Sequence, residues 1–339
     1  MHAIIGCGRV AINHVYAFNC WKKEIKTCCD IDVMKAERFA TKYNIKHFTN
    51  NINEILEDDE IDTVSICTDH GSHYNLTMQA LKHKKNVIVE KPIALKVEDA
   101  MEMVDFSKKN GLILMAISQH RYDRLINEIH LLLNKNLFGN IAVVNAFLQC
   151  SKDNEYYLGS GWRGTLEKEG GSSLINQAIH TLDLLIYFFD RPKCLFTKKK
   201  TIKFTNKIET EDTLVSLLEF KNGAIGAFTT TNCSIINWKS YIEIVGTNGS
   251  ISFTTGHPIK LINFKLNVEN EAEIKAKLQK IQDEIEPLPP SQSYYGISHK
   301  YQILDFLNAV YNNKRLRMLP EAAIKTLATV LDIYQGGKS

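Results

Sequence analysis

The sequence has no apolar run that approaches the ~20 residues a membrane-spanning helix requires, which argues against an integral helical membrane protein. Its first residues lack the basic segment, apolar core and small cleavage residues of a secretory leader, and the expected location is the cytoplasm. An excess of one charge is also missing: 41 Lys and Arg face 38 Asp and Glu, a net +3. A nucleic-acid binder concentrates basic residues on one face. Here the one strong basic run, Lys198-Lys199-Lys200, reads as a solvated strand or turn, with phosphate binding a distant second. The eight cysteines are Cys7, Cys20, Cys28, Cys29, Cys67, Cys150, Cys194 and Cys233. None forms a Cys-x-x-Cys pair, and no cysteine–histidine cluster has zinc spacing. Most sit in apolar surroundings, so they read as small buried hydrophobes and reduced thiols. Domain-scale repeats and long low-complexity segments are absent too.

What is present is an ordinary globular composition, 44% hydrophobic and 23% charged. The 339 residues suffice for two domains of roughly 100–200 residues each. The first third alternates strand and helix. "HAIIG", "IKTCCDI", "TVSICT", "NVIVEKP" and "LILMAIS" read as strands. Between them, 9–20, "VMKAERFATKYN", 73–84 and "KVEDAMEMVDFSKKNG" read as helices. Strands spaced by single helices imply a parallel, doubly wound α/β sheet.

The pattern changes after about residue 122. A helix at about 124–135 precedes the longer strand "IAVVNAFLQC", and "SSLINQAIHTLDLLIYFF" has the spacing of a buried helix. From about 195 to 268 the chain is mostly strands, with hairpin signals at Asn222-Gly223 and Asn248-Gly249. Such runs favour an antiparallel sheet. A charged helix, "NEAEIKAKLQKIQDEIE", then a loop, "PLPPSQS", and two closing helices follow. The expected division is 1–120 and 121–339, with the last helices free to pack back on the first domain. Leu214, Ser216, Leu218 and Phe220 alternate on an open sheet face that needs a cover. A second subunit, giving a homodimer or homotetramer, or the helix at 270–286 can supply it.

Gly6 and Gly8 stand where the first strand meets the first helix. Glycine there permits a tight turn and close approach of a pyrophosphate, with a helix N-terminus behind it. The third fingerprint position is Ala11, still small enough for close helix–strand packing. By itself the pattern fits a tight turn in any α/β protein equally well. Asp30 ends the second strand at the distance where an acid accepts hydrogen bonds from an adenine ribose. Ile31 and Asp32 supply no arginine for a 2′-phosphate, which favours NAD over NADP. The other reading of Asp30 is a helix N-cap, a task Asp32 suits at least as well. Glu90, Lys91 and Pro92 follow an apolar strand, at the end where open α/β sheets bind ligands.

In "GWRGTLEKEGGSSLINQAIHTLD", Trp162 and Arg163 are read as following a strand. A glycine pair precedes a helix on which Asn176 and His180, four apart, share one face, with Asp183 a turn further. Arg163 has two readings: a fork for a sugar carboxylate or diphosphate, or a structural salt bridge to Glu167 or Glu169.

"GCGRVAINH", "VSICTDHGSH", "EKPIAL" and "GGSSLINQAIHTLD" together resemble the Gfo/Idh/MocA oxidoreductases across essentially the whole chain. The resemblance implies an N-terminal Rossmann domain and a C-terminal α+β domain with an open, mostly antiparallel sheet. It implies NAD-dependent oxidation or reduction of a sugar or cyclitol, with Lys91 and His180 matching the family's catalytic lysine and histidine. "YYLGSGWRGTLEKEGGSSLINQAIH" resembles the branch of UDP-N-acetylglucosaminuronate 3-dehydrogenases of bacterial surface-polysaccharide synthesis, which carry asparagine where Asn176 stands. "SQHRYD", "IETEDT" and "YYGISHKY" match that branch in part. The implied cofactor contacts are Gly6, Gly8, Arg9, Val10, Asp30, Thr68, His73, Glu90, Lys91, Gln119, Trp162 and Arg163. The implied substrate contacts are Lys91, Arg121, Tyr157, Arg163, Asn176, His180 and His299, with Tyr122 and Tyr156 as weaker candidates. Three departures stand out: Thr68-Asp69-His70 in place of Thr-Pro-Asn, Leu166 in place of tryptophan, and Ser172 in place of glycine.

The chemistry expected is removal of the hydroxyl proton by His180, with Lys91 at the reacting oxygen and Asn176 orienting the sugar without added negative charge. It requires no metal. The alternatives are a dehydrogenase of a free sugar or cyclitol, a non-catalytic NAD-binding regulator and, more remotely, an NAD-assisted glycosidase.

Overall fold

The computed structural model describes residues 1–256, 258–286 and 297–337, so the "PLPPSQS" loop lies outside the described residues. They fall into two units: Met1–Gln119 with the described part of Pro289–Leu327, and the described parts of His120–Leu288 and Ala328–Ser339.

In the first unit six strands pair in parallel: β1 (His2–Ile5), β2 (Ile25–Cys29), β3 (His47–Thr49), β4 (Thr63–Ile66), β5 (Asn86–Val89) and β6 (Leu114–Ala116). Their order is β3-β2-β1-β4-β5-β6, so the winding reverses between β1 and β4. All four residues of β4 are buried, as strands covered on both faces require. The connecting helices are α1 (Ala11–Cys20), α2 (Val33–Tyr43), α3 (Asn53–Leu56), α4 (His73–Lys82) and α5 (Val97–Lys109). Asp32 caps α2 by accepting the Lys35 N–H, and Asn44 ends it in the left-handed region at φ 61°. The short β3 and α3, of three and four residues, carry too little periodicity to be read from sequence.

Helix α10 (Ile297–Asn312), numbered by its place in the chain, packs on α1. Phe18 and Val15 share a core with Ile303 and Phe306, and the Trp21 indole N–H donates to the Lys300 carbonyl at 2.7 Å. Burying each such side chain contributes roughly 1.5–3 kcal/mol.

The second unit holds α6 (Arg124–Asn134), β7 (Ile141–Ser151), α7 (Asn154–Leu158), α8 (Ile179–Phe189), β8 (Lys193–Lys200), β9 (Thr213–Glu219), β10 (Ile225–Thr231), β11 (Cys233–Gly246), β12 (Gly249–Phe253), β13 (Leu261–Leu266) and α9 (Glu271–Asp283). The seven strands lie in the order β13-β12-β11-β7-β10-β9-β8. Only β7 and β10 run parallel; the other neighbours are antiparallel. The last helix is α11 (Glu321–Gln335).

Four local expectations are corrected here. The buried helix read over "SSLINQAIHTLDLLIYFF" begins with a π-helical stretch, Ser173–Ala178, before α8. Trp162 and Arg163 do not follow a strand directly, because α7 intervenes after β7. At the second hairpin Gly246 pairs with Gly249, so Thr247 and Asn248 form the loop and Gly249 is already in β12. Leu214, Ser216, Leu218 and Phe220 are at most 1% exposed. The 173–189 segment covers them within the unit, with the Phe189 ring 5.5 Å from that of Phe220. The opposite face carries the exposed apolar residues: Phe196, Val215, Leu217 and Ile225.

Candidate functional site

At the carboxyl ends of β1 and β4, Gly6 takes φ +93°, and a Cβ there would meet the Cys67 carbonyl oxygen at 2.6 Å, so only glycine fits. A Cβ on Gly8 would meet only that oxygen, at 3.9 Å, which leaves its outer side open. α1 then starts with no side-chain cap and no acid in its first turn, the arrangement that suits an incoming anion. Arg9 is exposed and Val10 half-buried at this entry.

Asp30 is buried, and its carboxylate accepts the Cys7 N–H at 2.9 Å, the Asp32 N–H at 3.1 Å and the Lys35 ammonium at 2.6 Å. It therefore ties the glycine loop to the end of β2, while the N-cap task falls to Asp32.

Past β4, Asp69 caps a short turn by accepting the Ser72 N–H, and the Ser72 hydroxyl donates to Thr68 Oγ1 at 2.7 Å. His73 is fully buried, with Nδ1 2.7 Å from the Pro92 carbonyl oxygen. It joins this turn to the loop after β5, where the Lys91–Pro92 peptide is cis and Lys91 is half-buried. Gln119, past β6, is 0% exposed, and both polar atoms of its amide lack a partner. Thr68, His73, Glu90, Lys91 and Gln119 thus gather with the glycine loop at the carboxyl edge of one sheet. An open glycine, an uncapped helix start and an orphaned buried amide at that edge fit a dinucleotide.

His299, expected at the substrate, is 1% exposed, and its Nε2 lies 3.1 Å from Glu90 Oε1. His14 Nε2 reaches the same oxygen at 3.0 Å. Burial pushes the Glu90 carboxyl up, but the hydrogen bonds from His14 and His299 outweigh it and hold the group well below the usual carboxylate range. Its other oxygen accepts the Lys91 N–H at 3.2 Å. His14 has a visible signal, a histidine among apolar residues of α1, but its partners Ser65 and Glu90 lie 51 and 76 residues away.

In the second unit Arg121, also expected at the substrate, is buried and forked onto Asp183, at 2.8 and 2.7 Å. That pairing commits both groups to each other and to the start of α8. His180, in the first turn of α8, is half-buried, with the His120 ring edge-on at 5.6 Å. His120 in turn pairs with Asp123 at 2.7 Å.

Asn176 lies in the π-helical stretch, so the α-helical face shared with His180 does not apply as expected. Its amide donates to Glu169 and, at 3.2 Å, to the Tyr156 hydroxyl, which also accepts from Gln177 at 2.7 Å. The Arg163 guanidinium lies 4.3 Å over the Tyr156 ring and 5.0 Å over that of Trp162, and donates to the Tyr156 carbonyl at 3.3 Å. Its Nε is buried without a partner. Tyr157, expected at the substrate, is 3% exposed, its hydroxyl engaged with Ser172 at 2.8 Å and Asn232 at 2.7 Å. The serine that departs from the family pattern builds this inner network, and Tyr156 is the tyrosine that meets Asn176.

Glu169 and Glu211 went unnoticed in sequence as site residues, because both sit among polar neighbours. Glu169 is 0% exposed and accepts the Gly164 N–H at 2.5 Å. Burial pushes its carboxyl up to about 7. Burial also raises Glu211, which accepts the Leu174 N–H and the Tyr334 hydroxyl, each at 2.9 Å. Gly171 has φ +156°, and a Cβ there would meet the Tyr334 hydroxyl at 2.1 Å, so glycine is required.

Residues 2–118 match the oxidoreductase family with an NAD-binding Rossmann fold, and residues 131–336 match the C-terminal α/β domain of the same Gfo/Idh/MocA grouping. The chain is 29% identical to the D-glucoside 3-dehydrogenase of Escherichia coli K12 over 243 residues, 66% of this chain and 67% of that one. Its fold is similar to that of the WlbA dehydrogenase of Bordetella pertussis, solved with NADH and UDP-GlcNAcA, with a TM-score of 0.84. That likeness has 22% identity and covers 98% of this chain and 94% of the other. The WlbA dehydrogenase of Chromobacterium violaceum, solved with the same two ligands, gives 0.86 at 22% identity over 98% and 92%. Among the described residues no helix is long and apolar enough to cross a membrane.

Proposed function

Because the chain belongs to the Gfo/Idh/MocA oxidoreductases and binds NAD, we propose that it oxidises the 3-hydroxyl of a nucleotide-linked sugar acid, UDP-N-acetylglucosaminuronate. The observation that carries this reading is the donor set around Tyr156. Its hydroxyl oxygen already takes two N–H donors, from Asn176 and Gln177, so its own proton is left to donate. Beside it, the buried Nε of Arg163 has no acceptor. Two donors awaiting an acceptor suit a carboxylate or a diphosphate oxygen better than a neutral polyol. The WlbA dehydrogenases, solved with UDP-GlcNAcA, support the same substrate class.

NAD, when bound, supplies the two-electron acceptor, held by the glycine loop, α1 and the orphaned Gln119 amide. His180 takes the proton of the sugar hydroxyl. The His120 ring beside it, itself paired with Asp123, favours that ring's orientation. Lys91 steadies the charge that builds on the reacting oxygen. Its position is set through its peptide N–H, which Glu90 accepts. Asn176, a neutral amide already bonded to Glu169, keeps a further carboxylate out of the sugar's surroundings.

The deciding measurement is NADH formation with UDP-N-acetylglucosaminuronate, UDP-N-acetylglucosamine, simple D-glucosides and free cyclitols. The acidic nucleotide sugar is expected to be the best substrate. Turnover of a D-glucoside with none of the nucleotide sugar would replace this reading with the activity of the Escherichia coli relative.

A further inference from the structure

The Tyr156 ring carries two cations. Lys152 Nζ lies 4.5 Å from its centroid and the Arg163 guanidinium 4.3 Å from it. Both side chains are half-buried, Lys152 next after β7 and Arg163 in the turn that follows α7. The ring attracts each cation, but the two cations repel one another. More positive charge gathers at the same turn. The Lys203 ammonium donates to the Lys152 carbonyl at 2.6 Å, and the Lys207 ammonium to Asn154 Oδ1 at 2.9 Å. These acceptors, like the Tyr156 carbonyl that Arg163 meets, are neutral oxygens, which hold a cation in place without cancelling its charge. The acids of the turn are Asp153, which caps α7 by accepting the Tyr156 N–H at 2.8 Å, and the exposed Glu155, with the buried Glu169 facing Arg163. Lys152, Arg163, Lys203 and Lys207 outnumber them, so the turn is electropositive.

The Tyr156 hydroxyl completes the donor set. Burial pushes its phenol far above the usual range, so it keeps its proton, and its oxygen already accepts from Asn176 and Gln177. The ring that carries the two cations therefore also carries a neutral O–H donor at its edge. The buried Nε of Arg163 stands beside it without an acceptor. A carboxylate has one charge and two oxygens on one carbon. A diphosphate spreads its charge over oxygens on two phosphorus atoms, so it can meet an ammonium, a guanidinium and a phenol together.

We propose that Lys152, Arg163 and the Tyr156 hydroxyl form a diphosphate subsite, and that Lys152 is a binding residue for the nucleotide half of the substrate. This rests on the nucleotide-sugar reading and narrows its anion from a carboxylate or diphosphate to the diphosphate.

Binding to the full-length protein, measured by calorimetry with UDP, uridine, methyl glucuronide and NAD in turn, tests the subsite without turnover. UDP should bind the wild type more tightly than uridine. Lys152→Met should weaken UDP roughly 10–100-fold, as expected for a lost charge-assisted hydrogen bond, and uridine hardly at all. Lys152→Arg, which keeps the charge, should recover most of the affinity, and Lys152→Gln replaces Lys152→Met if that variant does not fold. A lysine that only packs on Tyr156 would lower UDP and uridine alike, and that result would overturn the subsite. Equal affinity of the wild type for UDP and uridine would overturn it too. So would a Lys152→Met loss confined to methyl glucuronide, which would make the anion a carboxylate, or confined to NAD, which would give the diphosphate to the cofactor. In turnover of UDP-N-acetylglucosaminuronate, KM should rise by the same factor as the UDP affinity falls, and kcat should fall less. A wild type that binds UDP through Lys152 yet oxidises no nucleotide sugar would keep the subsite and remove the dehydrogenase reading. Turnover with a UDP affinity that ignores Lys152 would do the reverse.

Discussion

Two buried carboxylates, one in each unit, are driven in opposite directions. Glu90 and Glu169 are 3% and 0% exposed, so burial pushes both upward. Glu90 meets two imidazole N–H groups and a peptide N–H, and ends well below the usual range. Glu169 meets the Gly164 N–H and the Asn176 amide among its neighbours, feels the charge of Glu211, and rises to about 7. Burial alone does not decide ionisation; the hydrogen bonds and charges around each carboxyl do.

The largest effects expected test what hangs from each cluster. Lys91→Met, beside Glu90, and His180→Ala, on the helix that follows the Glu169–Asn176 contact, should each lower turnover by about 10²–10⁴-fold with NAD affinity retained. Single-turnover NADH formation measures this, and near-wild-type rates in His180→Ala would make that histidine structural. Asn176→Asp should be harmful as well, because it sets a carboxylate against Glu169, and Glu169→Gln in the same chain should recover part of the loss.

The next effect concerns pH and stability. The folded state holds the Glu169 proton up to about 7 whereas the unfolded chain releases it near 4.5, so folding is disfavoured as pH rises through that window. The full window corresponds to about 3 kcal/mol. His2 and His14 have the opposite sign. Folding keeps them neutral while the unfolded chain takes up protons near 6.5, so stability is lost as pH falls below that value. Urea-unfolding midpoints between pH 4 and 8 should show Glu169→Gln reducing the loss on the alkaline side, to which the raised Glu211 also contributes, and His2→Gln reducing the loss on the acid side. Identical slopes in wild type and Glu169→Gln would remove the contrast between the clusters.

The smallest effect on activity is expected at the second sheet's outer face. The first sheet has its β4 buried throughout, whereas the second leaves Phe196, Leu217 and Ile225 at 53%, 47% and 56% exposure. We propose that this face joins copies of the chain. Leu217→Lys should lower the mass found by light scattering and leave hydride transfer nearly unchanged. A wild-type monomer would reject the assembly.

Much of the fold was legible because its signals are local. The alternation of apolar strands and amphipathic helices announced the parallel sheet, and Asn222-Gly223 the β9–β10 hairpin. The π-helical stretch was not legible, since Glu211, 37 residues from Leu174, holds its start. Lys91 stood out because an apolar strand delivers it. Arg121 and Tyr157 looked available because a sequence does not show Asp183, Ser172 or Asn232 filling their hydrogen-bonding groups.

The sequence by itself determined the glycine turn, the uncapped helix start and the two kinds of sheet, because backbone conformation and hydrophobic period act over a few residues. Only the tertiary structure decided which carboxyl is charged and which hydroxyl still has a proton to give. Those states depend on low-dielectric surroundings and on donors brought from far along the chain: His14 lies 76 residues from Glu90, and His299 lies 209 from it.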